Sequence, residues 1–333
     1  IQHIVRHVEK KLPDFSSRPL QKPTFPEDFS FYQRKSLRLK SDSLSFQKIK
    51  RTNALAWSLS IQEIKNIQQV SQVLEKTGGS NNKIQELFLT VEWKSNFTNK
   101  DLLYLAQGLK GLKSLQRLTL TIQGWRQITD KGFYYLIKGI SRLPSLKHLS
   151  FEGTDHCPVT NVGLGYLSQS LKKLRLLKSI MFERFQLNQA TGIGLRMLNG
   201  SFNRLLQLEK ISLKVPDTGS KIDQSLERIN FKRLVSLKIV DLSFERSQIT
   251  DKGMYFITQG LKGLPNLQSV GLDMWDCPKL SNLGLHYIWE MMKTYSPDKI
   301  RLTSSALGQS PVLAHLRREM IIGKLTLRGT HCF

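Results

Sequence analysis

Lysine and arginine recur in six short stretches of the chain, spaced about thirty residues apart. The stretches 108–114, 138–145, 170–176, 201–207, 231–236 and 260–266 contain no aspartate or glutamate. Rows of cations without acidic neighbours are what phosphate contacts require, with an affinity that depends on salt. Cations are also favoured at helix C-termini, by about 0.3–1 kcal/mol each, which is a second explanation of the pattern. The cations are Lys110, Lys113, Lys138, Arg142, Lys172, Lys173, Arg175, Arg204, Lys232, Arg233 and Lys262.

The other reactive side chains form no catalytic or metal-binding motif that we can recognise. The chain has neither a phosphate-binding glycine loop, nor a dinucleotide-binding fingerprint, nor an HExxH segment, and its seven histidines are dispersed. His148 and His156 lack an obvious set of carboxylates or thiols for a metal ion. We therefore expect a protein that is not an enzyme and that has no cofactor and no small-molecule substrate.

An apolar–x–x–apolar–x–apolar pattern returns along most of the chain. Weaker copies lie at both ends, at Trp57/Leu59 and Ile300/Leu302. Self-similarity at this period indicates a repeat architecture, so we predict a strand at each copy and one continuous parallel sheet. The clear copies begin at Ile84, Leu115, Leu146, Leu177, Leu208, Leu237 and Leu267, with spacings of 31, 31, 31, 31, 29 and 30 residues.

Each repeat also predicts a helix. Apolar residues stand 10, 6 and 3 positions ahead of the next strand, and these spacings place them on one helical face. Thr129, Thr160 and Thr250 precede the predicted helices, where a short polar side chain can bond to the first-turn amides. The fifth unit departs from this pattern, since it has Glu227 at an expected apolar position and Pro216 in its loop. We predict a shorter or irregular helix there.

The repeats resemble leucine-rich repeats over roughly residues 54–303. The stretches 127–132 (QITDKG) and 248–253 (QITDKG) are similar to the cysteine-containing subfamily, and Cys157 and Cys277 lie at about the place of its cysteine. This resemblance implies an α/β solenoid of horseshoe shape. The parallel sheet would form its concave face and the helices its convex face.

The resemblance fails where the family has an asparagine or cysteine ladder just after the strand. Trp93, Trp125, Phe185 and Trp275 lie near that position instead. They either fill the interior of a wider loop or form an aromatic contact strip along the loop edge.

The cysteines do not predict a disulfide scaffold. They are Cys157, Cys277 and Cys332, an odd number without a CxxC pair. Their pattern argues against a zinc site and favours a reducing compartment. Cys157 and Cys277 lie four repeats apart, too far to form a disulfide at about 4.8 Å per repeat. We predict that both are buried free thiols.

The two ends of the chain differ from the repeats. Residues 1–53 are basic and contain several prolines, and we interpret them as an arm followed by the start of an N-terminal cap near Leu37–Leu39. Residues 54–303 are the repeats, and 304–333 are a C-terminal cap with a helix over 312–320 and a closing strand at Leu325–Leu327. The arm is either a leader that contacts little or an anchor that orders on a partner, with no compact domain in 1–33. Its cations are Arg6, Lys10, Lys11, Arg18, Lys22, Arg34 and Lys35.

Charge is distributed unevenly over the predicted surfaces. The residues expected on the concave face include eight basic and seven acidic side chains, so this face should be close to neutral. The turns between each helix and the next strand should share one edge of the solenoid. The cations in these turns would therefore stack into a basic ridge.

The chain has 50 basic and 26 acidic residues, a net charge of +24, which implies anionic partners. We expect a structural subunit of a large assembly that contacts other proteins. A ribonucleoprotein such as an organellar ribosome is favoured, with the ridge and the arm on RNA. The alternatives are a substrate receptor of the ubiquitin-ligase type and a scaffold on an acidic filament. Leu12–Asp14 faintly resembles an F-box opening, but the prolines that follow prevent its three helices.

The expected location is intracellular, either in the mitochondrial matrix or in the cytoplasm. No stretch of the sequence approaches the roughly 18 apolar residues that a membrane span needs. Because the sequence begins with Ile1, we expect further residues ahead of it, either a cleaved targeting segment or an unseen leader.

Overall fold

A computed structural model describes most of the repeat region and part of the C-terminal region. The described residues are 57–61, 67–80, 84–91, 97–122, 127–153, 158–183, 192–215, 222–227, 231–294, 299–304 and 325–328. The arm and the predicted N-terminal cap lie outside these residues, and so do Cys157, Cys332 and the predicted helix over 312–320.

The strands form one sheet of ten in sequence order, and every neighbouring pair is parallel. This confirms the predicted parallel sheet, including the weaker copies at both ends and the strand that begins at Leu325. The strands are β1 (Trp57–Ile61), β2 (Ile84–Val91), β3 (Arg117–Ile122), β4 (His148–Gly153), β5 (Ser179–Glu183), β6 (Lys210–Lys214), β7 (Ile239–Ser243), β8 (Ser269–Met274), β9 (Lys299–Ser304) and β10 (Leu325–Arg328).

Helices alternate with these strands, as the sequence predicted. They are α1 (Ile67–Ser80), α2 (Asn99–Leu109), α3 (Asp130–Ile140), α4 (Asn161–Leu171), α5 (Gly192–Phe202), α6 (Ile222–Leu226), α7 (Asp251–Leu261) and α8 (Asn282–Thr294). The irregular helix predicted in the fifth unit is α6, which has only five residues. The side chain of Glu227 is exposed just after it, because a carboxylate cannot occupy the apolar position that this unit would need for another helical turn.

The core lies between the sheet and the helices. Leu87, Leu118 and Leu149 pair across β2, β3 and β4 and are fully buried or nearly so. Leu105 and Leu136, from the apolar faces of α2 and α3, are also fully buried. Burial of one leucine side chain stabilises the folded state by about 1.5–3 kcal/mol, so each repeat contributes to a core that runs along the array. Alternate strand residues face away from the helices, and we call their surface the open face of the sheet.

Hydrogen bonds between neighbouring repeats join the helix starts. The hydroxyls of Thr129, Thr160 and Thr250 accept bonds from amides in the first turns of their own helices, which confirms the predicted caps. The first helical residue also accepts bonds from the next repeat. Asp130 Oδ1 accepts from Thr160 N at 2.9 Å and from Gly163 N at 3.0 Å, and Thr160 Oγ1 donates to Asp130 Oδ2 at 2.6 Å.

This arrangement recurs along the array, and we call it the cap ladder. Its acceptors are Asn99, Asp130, Asn161, Asp223 and Asp251, which bond to Thr129, Thr160 and Gly163, Gly194, Thr250, and Ser281 and Gly284, respectively. Each acceptor satisfies amides at the start of the next helix that would otherwise lack an intrahelical partner. The ladder therefore couples the repeats as well as capping each helix.

Candidate polyanion-binding edge

The turns between helices and strands lie side by side along one edge of the array. Backbone bonds join residues at the starts of successive strands: Gln116 N donates to Gln85 O at 2.7 Å, Lys147 N to Gln116 O at 2.8 Å, and Lys178 N to Lys147 O at 2.7 Å. The series continues from Glu209 to Lys178, from Lys238 to Glu209 and from Gln268 to Lys238. The predicted edge is therefore a continuous surface.

A buried leucine anchors each turn. Leu174 N donates to Leu171 O at 2.9 Å, and Leu205 N and Leu234 N make equivalent bonds at 2.8 Å. These leucine side chains are buried against the core. Because the anchor points inward, the residues on either side of it are directed to solvent, and this is where most of the cations lie.

The structure brings all eleven sequence-predicted cations to this edge, and we keep the name basic ridge for them. Nine are exposed and two, Lys172 and Lys262, are half-buried. Lys110, Lys172 and Lys262 are the C-caps of α2, α4 and α7, and Lys138 lies in the last turn of α3. The helix dipole accounts for these four. The other seven lie in the turns beyond the helix ends.

Charged side chains on and beside the open face are paired instead. Arg117 Nε bonds to Glu86 Oε1 at 3.2 Å, and Lys214 Nζ to Glu245 Oε2 at 2.8 Å. Glu209 receives both Lys178, at 2.8 Å, and Lys238, at 3.0 Å. These hydrogen bonds hold the pKa of Glu209 below its usual value.

One of these ion pairs joins two strands that are not neighbours in the sheet. Arg301 on β9 bonds to Asp241 on β7. Gly271 lies between them on β8, and a Cβ there would stand 2.3 Å from Asp241 Oδ1. The missing side chain leaves room for the arginine to reach across, so this glycine is needed for close approach rather than for a turn.

The ridge cations have a different environment. Within the described part of the chain, ten of the eleven form no ion pair with an acidic side chain, and Lys232 makes an interaction of its own. Lys138 donates to Tyr134 Oη at 3.0 Å, which leaves its charge uncompensated. At those ten positions the ridge therefore presents positive charge without an acidic partner among the described residues, whereas most basic residues of the open face are paired with an acid.

His148 lies in the middle of the open face, between Arg117 on β3 and Ser179 on β5. Burial, followed by the charges of Arg117 and Lys178, lowers the pKa of its imidazole to about 4. The ring is therefore neutral at neutral pH. Among the described residues, no three His, Cys, Asp or Glu side chains are grouped as metal ligands would be.

The lowered pKa of His148 predicts how stability changes with pH. The unfolded chain binds a proton at this histidine below its ordinary pKa of 6.5, whereas the folded protein does so only near 4. Acidification through this interval therefore favours unfolding. In urea titrations between pH 7 and pH 4, we expect a His148→Gln variant to lose less stability than the parent protein. Parallel pH profiles for the two proteins would contradict this prediction.

Cys277 is a free, buried thiol, which confirms the prediction for this residue. Its Sγ donates to Phe244 O at 3.1 Å, in the loop of the preceding repeat. Burial raises the pKa of the thiol, so it is protonated and able to donate at neutral pH. Trp275, close to it, is half-buried. The other aromatic residues of the predicted strip, Trp93, Trp125 and Phe185, lie outside the described residues.

Counting charges missed three exposed apolar side chains on the same edge. Leu176, Leu206 and Val235 lie in consecutive turns among the ridge cations and are exposed. The sequence contained a signal for two of them. The residue after the anchor leucine is apolar at Leu206 and Val235, whereas other turns of the ridge have a cation there, as at Lys113 and Arg175.

Two further findings concern the chain as a whole. No helix among the described residues combines the length and apolarity needed to cross a membrane. The alternating helices and parallel strands form a repeat-like α/β arrangement of the leucine-rich-repeat kind. No known protein family matches the chain, and no curated protein is significantly similar to it.

Proposed function

We propose that this protein is a non-enzymatic structural subunit of a large intracellular assembly, and that its basic ridge binds RNA. The observation that carries the proposal is the contrast between the ridge and the open face. Among the described residues, nine of the eleven ridge cations are exposed and ten form no ion pair with an acidic side chain, whereas Arg117, Lys178, Lys214 and Lys238 are paired. A ribonucleoprotein such as an organellar ribosome, in the mitochondrial matrix or the cytoplasm, matches this chemistry.

Three finer points belong to the same proposal. The repeats are of the cysteine-containing leucine-rich type, since Cys277 donates to the preceding repeat much as a ladder residue would. The array curves as a horseshoe, with the open face on its concave side. The cations of the arm, Arg6 to Lys35, extend the RNA contact beyond the ridge.

A physical comparison favours phosphate contacts over helix-end stabilisation as the reason for the ridge. The helix dipole acts within the last turn and contributes about 0.3–1 kcal/mol per cation. It gives no reason for Lys113 and Arg175, which lie three residues after the C-caps Lys110 and Lys172. It disfavours acids in the last helical turn, but it gives no reason for their absence from the residues beyond that turn. A polyanion running along the edge explains both.

Charge reversal tests the proposal. We expect Lys172→Glu, Lys173→Glu and Arg175→Glu together to weaken binding of a labelled poly(U) or duplex RNA by on the order of a hundredfold at 0.1 M salt. Each lost phosphate contact should also reduce the log–log salt slope by about 0.7–0.9. Fluorescence anisotropy over a series of salt concentrations measures both quantities.

The chain offers a control with the same charge change. Lys100, Lys131 and Lys252 are exposed at the N-terminal turns of α2, α3 and α7, at the other end of the helices. Their replacement by glutamate should leave RNA affinity within a few-fold of the parent. Replacing Lys147 and Lys178, next to the open face, should also have less effect than the ridge triple variant. If either control variant loses as much affinity as the ridge variant, the ridge is not the RNA-binding surface.

A further inference from the structure

The middle of the basic ridge combines positive charge with exposed apolar surface. Leu176 is 40% exposed, Leu206 60% and Val235 50%, in three consecutive turns. Six cations surround them, namely Lys172, Lys173, Arg175, Arg204, Lys232 and Arg233. Exposed apolar side chains grouped on one surface mark binding sites more often than those scattered singly. RNA binding explains them less well, because the stacking that binds single-stranded RNA uses mainly aromatic rings and guanidinium groups.

These apolar side chains are held in place by the turns. Leu177 N donates to Leu174 O at 3.0 Å, and Leu208 N and Leu237 N make the equivalent bonds at 2.9 Å. Asn266 Nδ2 donates to Val235 O at 2.8 Å from the next repeat. Leu206 and Val235 directly follow buried anchor leucines, and Leu176 directly precedes the buried Leu177. The buried leucines fill the interior, so these three side chains remain at the surface. The apolar row is therefore a fixed part of the surface.

We propose that this section of the ridge is a docking site for an acidic amphipathic α-helix of a partner protein. The first reason is spacing. Neighbouring strands of a sheet lie about 4.8 Å apart, and an α-helix advances 5.4 Å per turn. A helix that lies along the ridge, across the strands, presents about one turn to each repeat. One apolar residue per turn would therefore meet Leu176, Leu206 and Val235 in succession.

The second reason is charge. The turns 170–176, 201–207 and 231–236 contain no acidic residue, so acidic positions beside the apolar row of the helix would face cations alone. A second copy of this chain does not suit the site through the same surface, because that surface has no acids to offer. A membrane suits it poorly, since interfacial anchoring buries apolar groups about 5–10 Å deep and tight turns with half-exposed side chains do not reach that far.

The inference goes beyond the proposed function and does not depend on RNA binding. Its test uses a fluorescent synthetic peptide of about 20 residues, with leucine at every third or fourth position and glutamate between, enough for about five helical turns. A peptide of the same composition with its leucines shuffled is the control for charge alone. The protein variant is Leu206→Ser with Val235→Ser, which leaves every cation in place. Val162→Ser with Ile193→Ser is the matched variant, because these residues are 55% and 50% exposed at the N-terminal turns of α4 and α5.

We expect Leu206→Ser with Val235→Ser to lower the affinity for the patterned peptide about ten- to thirtyfold, because less apolar area is covered on binding. The matched variant should bind within twofold of the parent, and the shuffled peptide should bind more weakly to all proteins. Circular dichroism and thermal melting should show all variants folded, since the replaced side chains are exposed. The inference is overturned if the two peptides bind alike, or if the serine variant binds the patterned peptide as the parent does. Phosphatidylserine vesicles are a further probe. The inference is also overturned if the serine variant loses binding to these vesicles but keeps its binding to the patterned peptide.

The same variant separates this inference from RNA binding. Leu206→Ser with Val235→Ser should leave the affinity for poly(U) unchanged. The charge reversal of Lys172, Lys173 and Arg175 should lower the affinity for both poly(U) and the patterned peptide. If RNA does not bind the ridge but the patterned peptide behaves as expected, the RNA proposal fails and the helix-docking site stands. If the serine variant weakens RNA as much as the peptide, the apolar row is part of an RNA surface and the helix-docking site falls.

Discussion

Replacing Gly132 with alanine is expected to lower the free energy of unfolding by about 2–3 kcal/mol. A Cβ at this position would stand 2.2 Å from Asn99 Oδ1 and 3.0 Å from Asn99 Cα, so the preceding repeat would have to move. That movement would also disturb the bond from Thr129 N to Asn99 Oδ1, now 2.9 Å long. Urea denaturation followed by circular dichroism measures the change.

Gly200 provides a control in which the same substitution should have the opposite sign. It lies in α5, and a Cβ added there would meet no atom within 4 Å. Alanine is favoured over glycine within a helix by up to about 1 kcal/mol, so Gly200→Ala should stabilise the protein slightly. If both substitutions stabilise the protein, or both destabilise it equally, close approach at the cap ladder is not what makes Gly132 necessary.

The glycines and acceptors of the cap ladder form one recurring device. The same close approach recurs at four other glycines, where an added Cβ would stand less than 3 Å from a ladder acceptor of the preceding repeat. They are Gly163, Gly194, Gly253 and Gly284. In a repeat array, most of the stability comes from each unit and its nearest neighbours. A bond between helix starts therefore strengthens the interface on which the whole array depends.

Much of the fold could be predicted because each repeat of the sequence encodes one strand and one helix locally, and the pattern returns about every thirty residues. Leu118, Leu149 and Ile180 recur at a fixed spacing, and the same spacing fixes their register between strands. The shortened α6 was also predictable, since Glu227 and Pro216 interrupt the helical pattern. Both predictions needed only the alternation of apolar and polar residues within one unit.

The cap ladder was not predicted, because its partners lie about thirty residues apart. Asp130 appears in the sequence as a first-turn acid of its own helix, a common and sufficient role for such a residue. Only the stacking of the repeats places its carboxylate beside Thr160 and Gly163. A hint was present, since Asn or Asp opens five of the eight described helices and glycine follows two residues later in four of them.

The positions of the ridge cations could be predicted from the sequence, but the pairing of charges on the open face could not, because it depends on the register between strands. Counting suggested that the concave face was neutral, but counting cannot distinguish paired charges from scattered ones. The structure shows Glu209 bonded to both Lys178 and Lys238, which requires three strands to be in register. Counting also missed Leu206 and Val235, because an apolar residue beside an anchor leucine resembles a core position until burial is known.

The second large effect is expected at Asp130. Replacing it with alanine should lower the free energy of unfolding by about 2–3 kcal/mol, because Thr160 N and Gly163 N would lose their acceptor at a partly buried helix start. The Thr160 hydroxyl, which donates to Asp130 and accepts from Val162 N, would also lose half of its bonding. Asp251→Ala should have a similar effect at the other end of the array, since Asp251 accepts the equivalent three bonds from Ser281 and Gly284.

The substitution Asp130→Asn distinguishes the hydrogen bonds of the cap ladder from the effect of the negative charge of Asp130. Asn161 Oδ1 accepts from Gly194 N at 3.0 Å, and Asn99 both accepts from Thr129 N and donates to its hydroxyl. An amide can therefore replace the carboxylate geometrically, and Asp130→Asn should cost less than about 1 kcal/mol. If Asn is as damaging as Ala in urea denaturation, the negative charge at the helix start is what stabilises the repeat. If neither substitution changes the free energy of unfolding, the bonds between helix starts do not couple the repeats.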